Sequence, residues 1–374
     1  MFTVKTLNKI APVGLNLLDK SNYVISDNGV ASPHGILVRS QSMHEMDLPE
    51  SLLAVARAGA GVNNIPIDKC TEKGIVVFNT PGANANAVKE LTIMALLLAS
   101  RKIVEGIAWS QSLDGQGAEV PKLIEKGKSA YVGPEIFGKK LGVMGKGAIG
   151  AMVAEAAEAL GMEVQMLDSR KAEEFAAAIA SCDYISLHCP LKNDTKGFFS
   201  AELFGKMKKG VRIINTSRAE LVSDADMKQA IKDGIVACYV TDFPNQEMLN
   251  VENIIPIPHL GASTPESEDN CAVMAARQMK DFLENGNIIN AVNFPALSLA
   301  RSSKNRITVA HKADQHLSGE ITTELSGANL QILNMVSGIK GSCAYMMMDI
   351  DTAPPAEVIR NLEKKEGVLR VRAL

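Results

Sequence analysis

Short apolar runs alternate with helical periodicities through the middle of the chain. KKLGVMG, MEVQMLD, DYISLHCP, VRIINTS and IVACYVTD are apolar enough to predict buried strands. Between them, AIGAMVAEAAEALG and DADMKQAIKDG carry apolar residues at helical spacing, and SAELFGKMKKG predicts a helix with Ser200 as its N-cap and Gly210 at its end. Apolar strands that alternate with helices are typical of a parallel sheet covered on both faces. The pattern therefore predicts a doubly wound α/β lobe.

A weaker copy of this pattern occupies the first hundred residues. GILVRS and GIVVFN are predicted strands, and VKELTIMALLLASRKIVEGIAWSQ (88–111) is predicted to form one long helix. Several glycines interrupt residues 102–137, which are predicted to be irregular. We therefore expect a second α/β lobe.

The pattern changes near residue 295. A polar linker, FPALSLARSSKNR, precedes segments whose order is roughly βαββαβ, the order of a small ferredoxin-like module. A module of that size has a small core of its own, so we expect it to dimerise. Met346, Met347 and Met348 are expected to pack in its core or interface rather than bind a metal.

Composition excludes several classes of function. The 374 residues are 46% hydrophobic and carry a net charge of −3, so neither nucleic acid nor an anionic membrane surface is an indicated partner. Six scattered cysteines form no CxxC pair and no metal-ligand spacing, which favours a reducing compartment without a metal site. The N-terminal MFTVKTLNKIAP lacks the apolar run of a signal peptide, and no segment has the apolar length of a membrane span. We expect a cytoplasmic protein.

Residues 141–150, LGVMGKGAIG, match G-x-G-x-x-G at Gly145, Gly147 and Gly150. A bare match fits a structural turn as well as a nucleotide site. This match lies between a predicted strand and a predicted helix, where the glycines permit a tight turn, close approach of a pyrophosphate and close packing of helix on strand. The helix N-terminus, at Ala148 and Ile149, would attract the phosphates.

Asp168 ends the next predicted strand. A carboxylate there would accept hydrogen bonds from the ribose hydroxyls and repel a 2′-phosphate, so NAD is the predicted cofactor. Arg170 weakens that preference, and a solvated carboxylate at the strand end is the alternative interpretation of Asp168.

Three polar residues follow apolar strands: Arg218 after VRIINTS, Glu247 within TDFPNQEML, and His259 after NIIPIP. Ligands of open α/β sheets gather beyond the carboxyl ends of the strands. A histidinium can supply the proton that ketone reduction needs, a neighbouring carboxylate stabilises it, and a guanidinium can hold the carboxylate of a 2-keto acid. Each residue alone would more often be a capping or solvated side chain, but together with the nucleotide turn they indicate a dehydrogenase.

Six blocks of the chain resemble the NAD-dependent D-isomer-specific 2-hydroxyacid dehydrogenases. They are RAGAGVNNIPID, NTPGANANAVKELTIMALLLASR, GKKLGVMGKGAIG, LHCPLKNDTKGFF, NTSRAELV and PHLGAST, in the family's order. Within the family, the chain resembles the members that oxidise 3-phospho-D-glycerate and carry a C-terminal ACT domain. The resemblance implies two Rossmann-like doubly wound lobes and a C-terminal ferredoxin-like βαββαβ ACT module. The implied boundaries are 1–86 with 266–296 for the substrate-binding lobe, 87–265 for the NAD-binding lobe, and 297–374 for the ACT-like module.

The resemblance also implies the roles of individual residues. It makes Arg218 and Glu247 catalytic, His259 the general acid–base, and Asp242 the contact to the nicotinamide amide. The full set implied to contact NAD is Gly145, Gly147, Ala148, Ile149, Gly150, Asp168, Pro190, Thr216, Ser217, Asp242, His259, Gly261 and Ala262. The set implied to contact substrate is Arg39, Ser40, Arg57, Ala60, Gly61 and Asn84.

The implied reaction is oxidation of 3-phospho-D-glycerate to 3-phosphooxypyruvate with NAD, the first step of serine biosynthesis, by a homodimer or homotetramer. One alternative is a dehydrogenase of another D-2-hydroxy acid, such as glycerate, lactate or 2-hydroxyglutarate. Another is a nucleotide-sensing regulator on the same scaffold. Feedback inhibition by serine also stays open, because Ala313, Gln315 and Gln331 stand where the effector site of an ACT domain usually carries Asn and Pro.

Overall fold

Three β-sheets organise the part of the chain that this computed structural model describes, residues 1–27, 29–30, 32–313 and 316–374. Contacts group the chain into two units, Met1–Asn84 together with Pro265–Leu374, and Ala85–Thr264. The strands are β1 Phe2–Leu7, β2 Tyr23–Ser26, β3 Gly35–Val38, β4 Ala54–Arg57, β5 Val76–Phe78, β6 Lys140–Met144, β7 Glu163–Leu167, β8 Tyr184–Leu187, β9 Val211–Asn215, β10 Val236–Thr241, β11 Ile254–Pro256, β12 Asn305–Lys312, β13 Ile332–Lys340, β14 Cys343–Ile350 and β15 Val368–Ala373. The α-helices are α1 Pro12–Leu15, α2 Ile67–Glu72, α3 Ala85–Ser100, α4 Ile103–Gln111, α5 Val120–Gly127, α6 Ala148–Ala159, α7 Ala172–Ser181, α8 Ala201–Phe204, α9 Asp224–Lys232, α10 Pro265–Asn285, α11 Leu317–Gly327 and α12 Ala356–Glu363.

The first sheet is parallel throughout, with the strand order β2-β1-β3-β4-β5. Strands β3 and β5 are buried at every position, which explains why their sequences are apolar throughout rather than alternating. Helix α10 covers one face, where Met279 and Phe282 join the core formed by Leu37 and Phe78. The strand order reverses between β1 and β3, and such reversals are where open α/β sheets bind ligands.

The second sheet is also parallel, with the order β11-β10-β9-β8-β6-β7. Helices α3 and α6 cover one face, with Leu96 and Ala157 in the core there. Helices α7, α8 and α9 cover the other, with Ile179, Leu203 and Met227 in that core. The strand order reverses between β6 and β8. This arrangement confirms the predicted doubly wound lobes.

The third sheet is antiparallel, with the order β13-β14-β12-β15, and two helices cover one of its faces. The order of elements is βαββαβ, which confirms the predicted ferredoxin-like module. Met346 and Met348 pack against α11 and α12, whereas Met347 joins the core of the first lobe on the opposite face. Of the predicted effector-site positions, Gln315 lies outside the described residues.

Three arginines join this module to the C-terminal end of α10. Arg372 donates to the carbonyls of Phe282 and Leu283, Arg301 donates to that of Glu284, and Arg306 donates to that of Asn285, at 2.7–2.9 Å. The last carbonyls of a helix lack intrahelical donors and carry partial negative charge, so guanidinium groups stabilise them. The module is therefore fixed to the helix that covers the first sheet.

Two predictions about helices are wrong. Residues 88–111 do not form one helix, because Lys102 leaves the helical region and separates α3 from α4. Gly133 packs against the end of α3 so closely that a Cβ there would lie 2.0 Å from the Ser100 carbonyl oxygen. Residues 102–137 are not irregular, because they form α4, α5 and two short 3-10 turns.

The helix predicted from Ser200 to Gly210 is also shorter than expected. Helix α8 ends at Phe204, and the side chain of Ser200 makes no capping hydrogen bond. The carboxylate of Asp226 accepts the Ala201 N–H instead, at 3.0 Å. A distant residue therefore supplies the cap that the local sequence assigned to Ser200.

Replacing Asp349 with alanine tests the link between the module and α10. Asp349 and Arg306 are both fully buried and joined by two hydrogen bonds of 2.6 and 3.1 Å. Removal of one partner leaves an unpaired buried charge, so we expect the free energy of unfolding to fall by about 3–5 kcal/mol in urea denaturation. Glu202→Ala, which breaks an exposed pair with Lys206, is the control and should cost far less. Equal losses in the two variants would contradict this account.

Candidate functional site

The glycine turn joins β6 to α6 where the order of the second sheet reverses. Gly145 has a φ of +117°, a backbone conformation that favours glycine. A Cβ at this position would lie 2.5 Å from the carbonyl oxygen of His188, in the loop after β8. Any side chain at residue 145 would therefore push apart the two loops that flank the reversal.

Gly150 and Gly147 meet different requirements. A Cβ on Gly150 would lie 2.0 Å from the Gly145 carbonyl oxygen, so the turn itself needs glycine there. A Cβ on Gly147 would meet nothing within 4 Å, and its φ of −74° suits any residue. The fold does not require glycine at 147, whereas a ligand that approaches the backbone does. The first N–H groups of α6, at Ala148 and Ile149, open beside it, and the cradle fits the pyrophosphate of a dinucleotide.

Asp168 directly follows β7, at the same edge of the sheet. Its carboxylate accepts two hydrogen bonds from the Arg170 guanidinium, Nε to Oδ1 and Nη2 to Oδ2, both 2.8 Å long. These hydrogen bonds hold the pKa of Asp168 well below its usual range, so the side chain is an anion at neutral pH. A carboxylate paired in this way keeps free lone pairs, and Asp168 can still accept from ribose hydroxyls.

The loops after β8 and β9 are held to each other and to α3. Ser217 donates its hydroxyl to the Cys189 carbonyl at 2.7 Å, and the Thr216 hydroxyl lies 2.9 Å from that of Thr92. Pro190, which follows Cys189, is exposed at the start of its loop. The structure thus places three of the predicted NAD contacts on neighbouring strand ends.

Arg218 lies in a turn whose backbone is held by a buried side chain, which the sequence did not predict. The fully buried Asn215 donates to the Arg218 carbonyl at 2.8 Å and accepts the Ser217 N–H at 3.1 Å. The Arg218 side chain itself is exposed. In the sequence, Asn215 is recognisable only as a polar residue at the end of an apolar strand. In the structure, its buried amide fixes the backbone from which the Arg218 guanidinium extends.

Asp242 is a buried clamp on the loop after β11. Its Oδ1 accepts the Leu260 N–H at 2.7 Å, and its Oδ2 accepts the Gly261 N–H at 2.8 Å. Burial raises the pKa of Asp242, although the backbone donors act in the opposite direction. A Cβ on Gly261 would lie 2.9 Å from Oδ2, so glycine permits this approach, and Ala262 follows it in the same clamped loop. The resemblance implied a cofactor contact for Asp242, and this structural role was not predicted.

His259 directly precedes the two clamped residues. Its φ of +54° is uncommon for a residue with a side chain and is the kind of strain that persists where the surroundings enforce it. Its N–H donates to the Ile257 carbonyl, and its ring packs edge-on against Phe243 with the centroids 5.0 Å apart. The His259 side chain is exposed and can reach a ligand.

Glu247 takes a partner in this structure that the sequence did not predict. Its carboxylate pairs with Lys228 of α9, Nζ to Oε2, at 2.5 Å. The hydrogen bond from Lys228 lowers the pKa of Glu247. Within the described residues, no hydrogen bond or ion pair joins Glu247 to His259. A lysine within reach of the loop is the physical reason for the difference.

The predicted substrate residues lie at the carboxyl ends of β3, β4 and β5. Arg57 donates its Nε to the Arg39 carbonyl at 3.0 Å, and the Arg39 guanidinium pairs with Glu268 of α10 at 2.7 Å. The Ser40 N–H donates to the side chain of Asn8 at 3.0 Å. Arg39 and Ser40 therefore lie at the strand reversal of the first sheet, tied to the loop after β1.

A second loop completes this group. Asn79 donates to the Ala60 carbonyl at 2.7 Å, next to Gly61. The side-chain oxygen of Asn84 is buried and accepts no hydrogen bond from the described residues. Buried polar atoms are normally paired, so this oxygen is suited to a ligand donor. Asn8 and Asn79 were not predicted as site residues, although each directly follows a strand.

Residues 93–261 match the NAD binding domain of the D-isomer specific 2-hydroxyacid dehydrogenases. D-3-phosphoglycerate dehydrogenase of Bacillus subtilis is 32% identical over 326 residues, which are 80% of this chain and 60% of the relative. The Haemophilus influenzae protein of that name is 28% identical over 365 residues, 91% of this chain and 86% of the relative. The chain therefore spans less than two thirds of the Bacillus subtilis relative.

A solved structure agrees with these matches. The NAD⁺-bound 3-phosphoglycerate dehydrogenase of Entamoeba histolytica is 27% identical, with a TM-score of 0.61 over 79% of this chain and 99% of its own. The matched domain is the one that contains the glycine turn and Asp168. None of the described helices combines the length and the hydropathy that a membrane span requires.

Gly147→Ala separates binding from folding. Because a Cβ at 147 meets open space at an ordinary φ, we expect an unchanged melting temperature. The added methyl group would occupy the space where the pyrophosphate approaches, so we expect NAD affinity in calorimetric titration to fall at least about tenfold.

Gly319→Ala, at a position in α11 where a Cβ also meets open space, is the matched control and should bind NAD normally. Normal NAD affinity in Gly147→Ala would show that the open space at Gly147 is not the phosphate cradle.

Proposed function

We propose that the chain is a D-isomer specific 2-hydroxyacid dehydrogenase that oxidises 3-phospho-D-glycerate to 3-phosphooxypyruvate with NAD, the first step of serine biosynthesis. The observation that carries the proposal is the position of His259. It lies exposed on clamped, strained backbone, at the sheet edge that also carries the glycine turn and Asp168. Such strain is typical of functional sites.

The residues divide the chemistry between them. The glycine turn and Asp168 would hold NAD, which when bound would supply the acceptor for the hydride from C2 of the substrate. His259 takes the proton of the C2 hydroxyl as general base, so a hydride and a proton leave together and a ketone remains; in the reverse direction it returns the proton. Arg218 holds the substrate carboxylate by paired hydrogen bonds and polarises the C2 oxygen. Glu247 stabilises the imidazolium once it leaves Lys228.

Substrate binding is assigned to the ends of β3, β4 and β5. Arg39, Ser40 and Arg57 hold the phosphate and carboxylate, because planar guanidinium groups form paired, charge-assisted bonds with both. The Ala60–Gly61 backbone and Asn84 complete the site. Support comes from the strand reversal beside Arg39 and from the buried, unpaired oxygen of Asn84.

A second candidate function is oxidation of an unphosphorylated D-2-hydroxy acid. The observation in its favour is the Arg39–Glu268 pair, because a neutralised arginine attracts a phosphate less strongly. The two candidates share the chemistry at His259 and differ in the group that Arg39 binds.

We also propose that the protein is a homo-oligomer. Edge strand β13 exposes Leu333, Met335 and Ile339, and an apolar strand edge of this kind can pair with a second copy of the chain.

Replacing His259 with asparagine tests the proposed base, because asparagine tolerates the left-handed backbone at this position. We expect kcat with 3-phospho-D-glycerate to fall roughly 10²–10⁴-fold, the usual contribution of general acid–base catalysis. The dissociation constant of NAD should stay near that of the wild type. His316→Gln, an exposed histidine of the C-terminal module, is the control. Wild-type turnover in His259→Asn, or a wild-type protein that binds NAD but oxidises no 3-phospho-D-glycerate, would refute the proposal.

A further inference from the structure

Arg39 has a carboxylate partner within its own chain. Its guanidinium lies 2.7 Å from the carboxylate of Glu268, in the first turn of α10, and both side chains are only partly exposed, at 35% and 42%. Arg39 also directly follows β3, the strand beside the reversal of the first sheet. Arg39, the residue proposed to bind the substrate's anionic group, is therefore already paired with a carboxylate of the same chain.

Two anions on one guanidinium oppose each other. A guanidinium offers five N–H donors, so it can in principle serve a carboxylate and a phosphate. The two negative groups would then be close neighbours, and like charges at such distances disfavour each other. A phosphate carries close to two negative charges at neutral pH and meets this repulsion more strongly than a neutral hydroxyl would.

Glu268 has a second source of stabilisation. It lies with Glu266 in the first turn of α10, where the partial positive charge of a helix N-terminus favours carboxylates. If the ion pair with Arg39 breaks, the Glu268 carboxylate is therefore still stabilised by the helix N-terminus. Exchange of Arg39 between Glu268 and an incoming anion is thus a local change of side-chain partners.

We propose that Glu268 is an internal counter-ion of Arg39, that the substrate's phosphate displaces it, and that this competition reduces the preference for phosphorylated over unphosphorylated D-2-hydroxy acids. The proposal rests on the proposed function, because it takes Arg39 as the phosphate ligand. Glu268 is a positioning residue here, since it acts through Arg39 and not on the reacting atoms.

The test is Glu268→Gln, which keeps the size and polarity of the side chain and removes its charge. Steady-state kinetics with 3-phospho-D-glycerate should show KM lowered about two- to fivefold, the range of a partly exposed ion pair, with kcat and the KM for NAD unchanged. The affinity for D-glycerate, measured as substrate or competitive inhibitor, should stay constant. The gain should shrink as salt is raised, because exposed charges are screened.

Glu266→Gln is the matched control, because it removes the same charge from the same helical turn. An equal fall in KM in both variants would assign the effect to net charge and overturn the proposal. Equal changes for 3-phospho-D-glycerate and D-glycerate would overturn it as well.

Arg39→Ala separates failure of this inference from failure of the proposed function. Suppose that Arg39→Ala raises the KM for 3-phospho-D-glycerate while Glu268→Gln leaves it unchanged. The proposed counter-ion role of Glu268 is then wrong, and the assignment of Arg39 to the substrate stands. If Arg39→Ala leaves that KM unchanged, Arg39 does not bind the phosphate and both proposals are wrong.

Discussion

All the strands of the second sheet run in one direction, and this constraint decides where the chain can do chemistry. Parallel pairing brings every carboxyl end to one edge, so the glycine turn, Asp168, Arg218 and His259 meet there from positions far apart in the sequence. The order of the strands reverses between β6 and β8, which opens room for a ligand at that edge. The first sheet repeats the arrangement, with Arg39 beside its own reversal.

Buried polar side chains fix the conformations of the loops at this edge. Asn215 holds the backbone of Arg218, and Asp242 holds the loop that begins at His259. A buried polar group without a partner costs about 1–3 kcal/mol, so the clamps at Asn215 and Asp242 each favour one loop conformation over its alternatives. In the first lobe, the exposed Asn8 and the partly buried Asn79 hold the loops at Ser40 and Ala60. Catalysis needs such preorganisation, because reacting groups must be held in place before the reaction.

The fold was largely predictable from the sequence. Strands buried on both faces must be apolar, and the helices between them must carry apolar residues at helical spacing. The break between α3 and α4 was not predictable, because Arg101 and Lys102 are good helix formers and the residue packed against the end of α3, Gly133, is distant in the sequence. The N-terminus of α8 also depends on a distant residue, since Asp226 supplies its cap.

The candidate site was predictable in its residue types and less so in its contacts. Motif spacing pointed to Gly145, Asp168 and His259, and the structure puts all three at one sheet edge. Spacing cannot show which partner a long side chain takes, so the pairs of Glu247 with Lys228 and of Arg39 with Glu268 were not foreseen. Side-chain pairing depends on tertiary distances that no local pattern encodes.

The most direct measurement of the central claim follows one deuterium atom. The protein is incubated with NAD and 3-phospho-D-glycerate deuterated at C2, and the reduced cofactor is analysed by mass spectrometry. Direct hydride transfer at this site predicts NADH that carries the deuterium, with slower turnover than for the undeuterated substrate. NADH without deuterium, or bound NAD that is never reduced, would contradict the account.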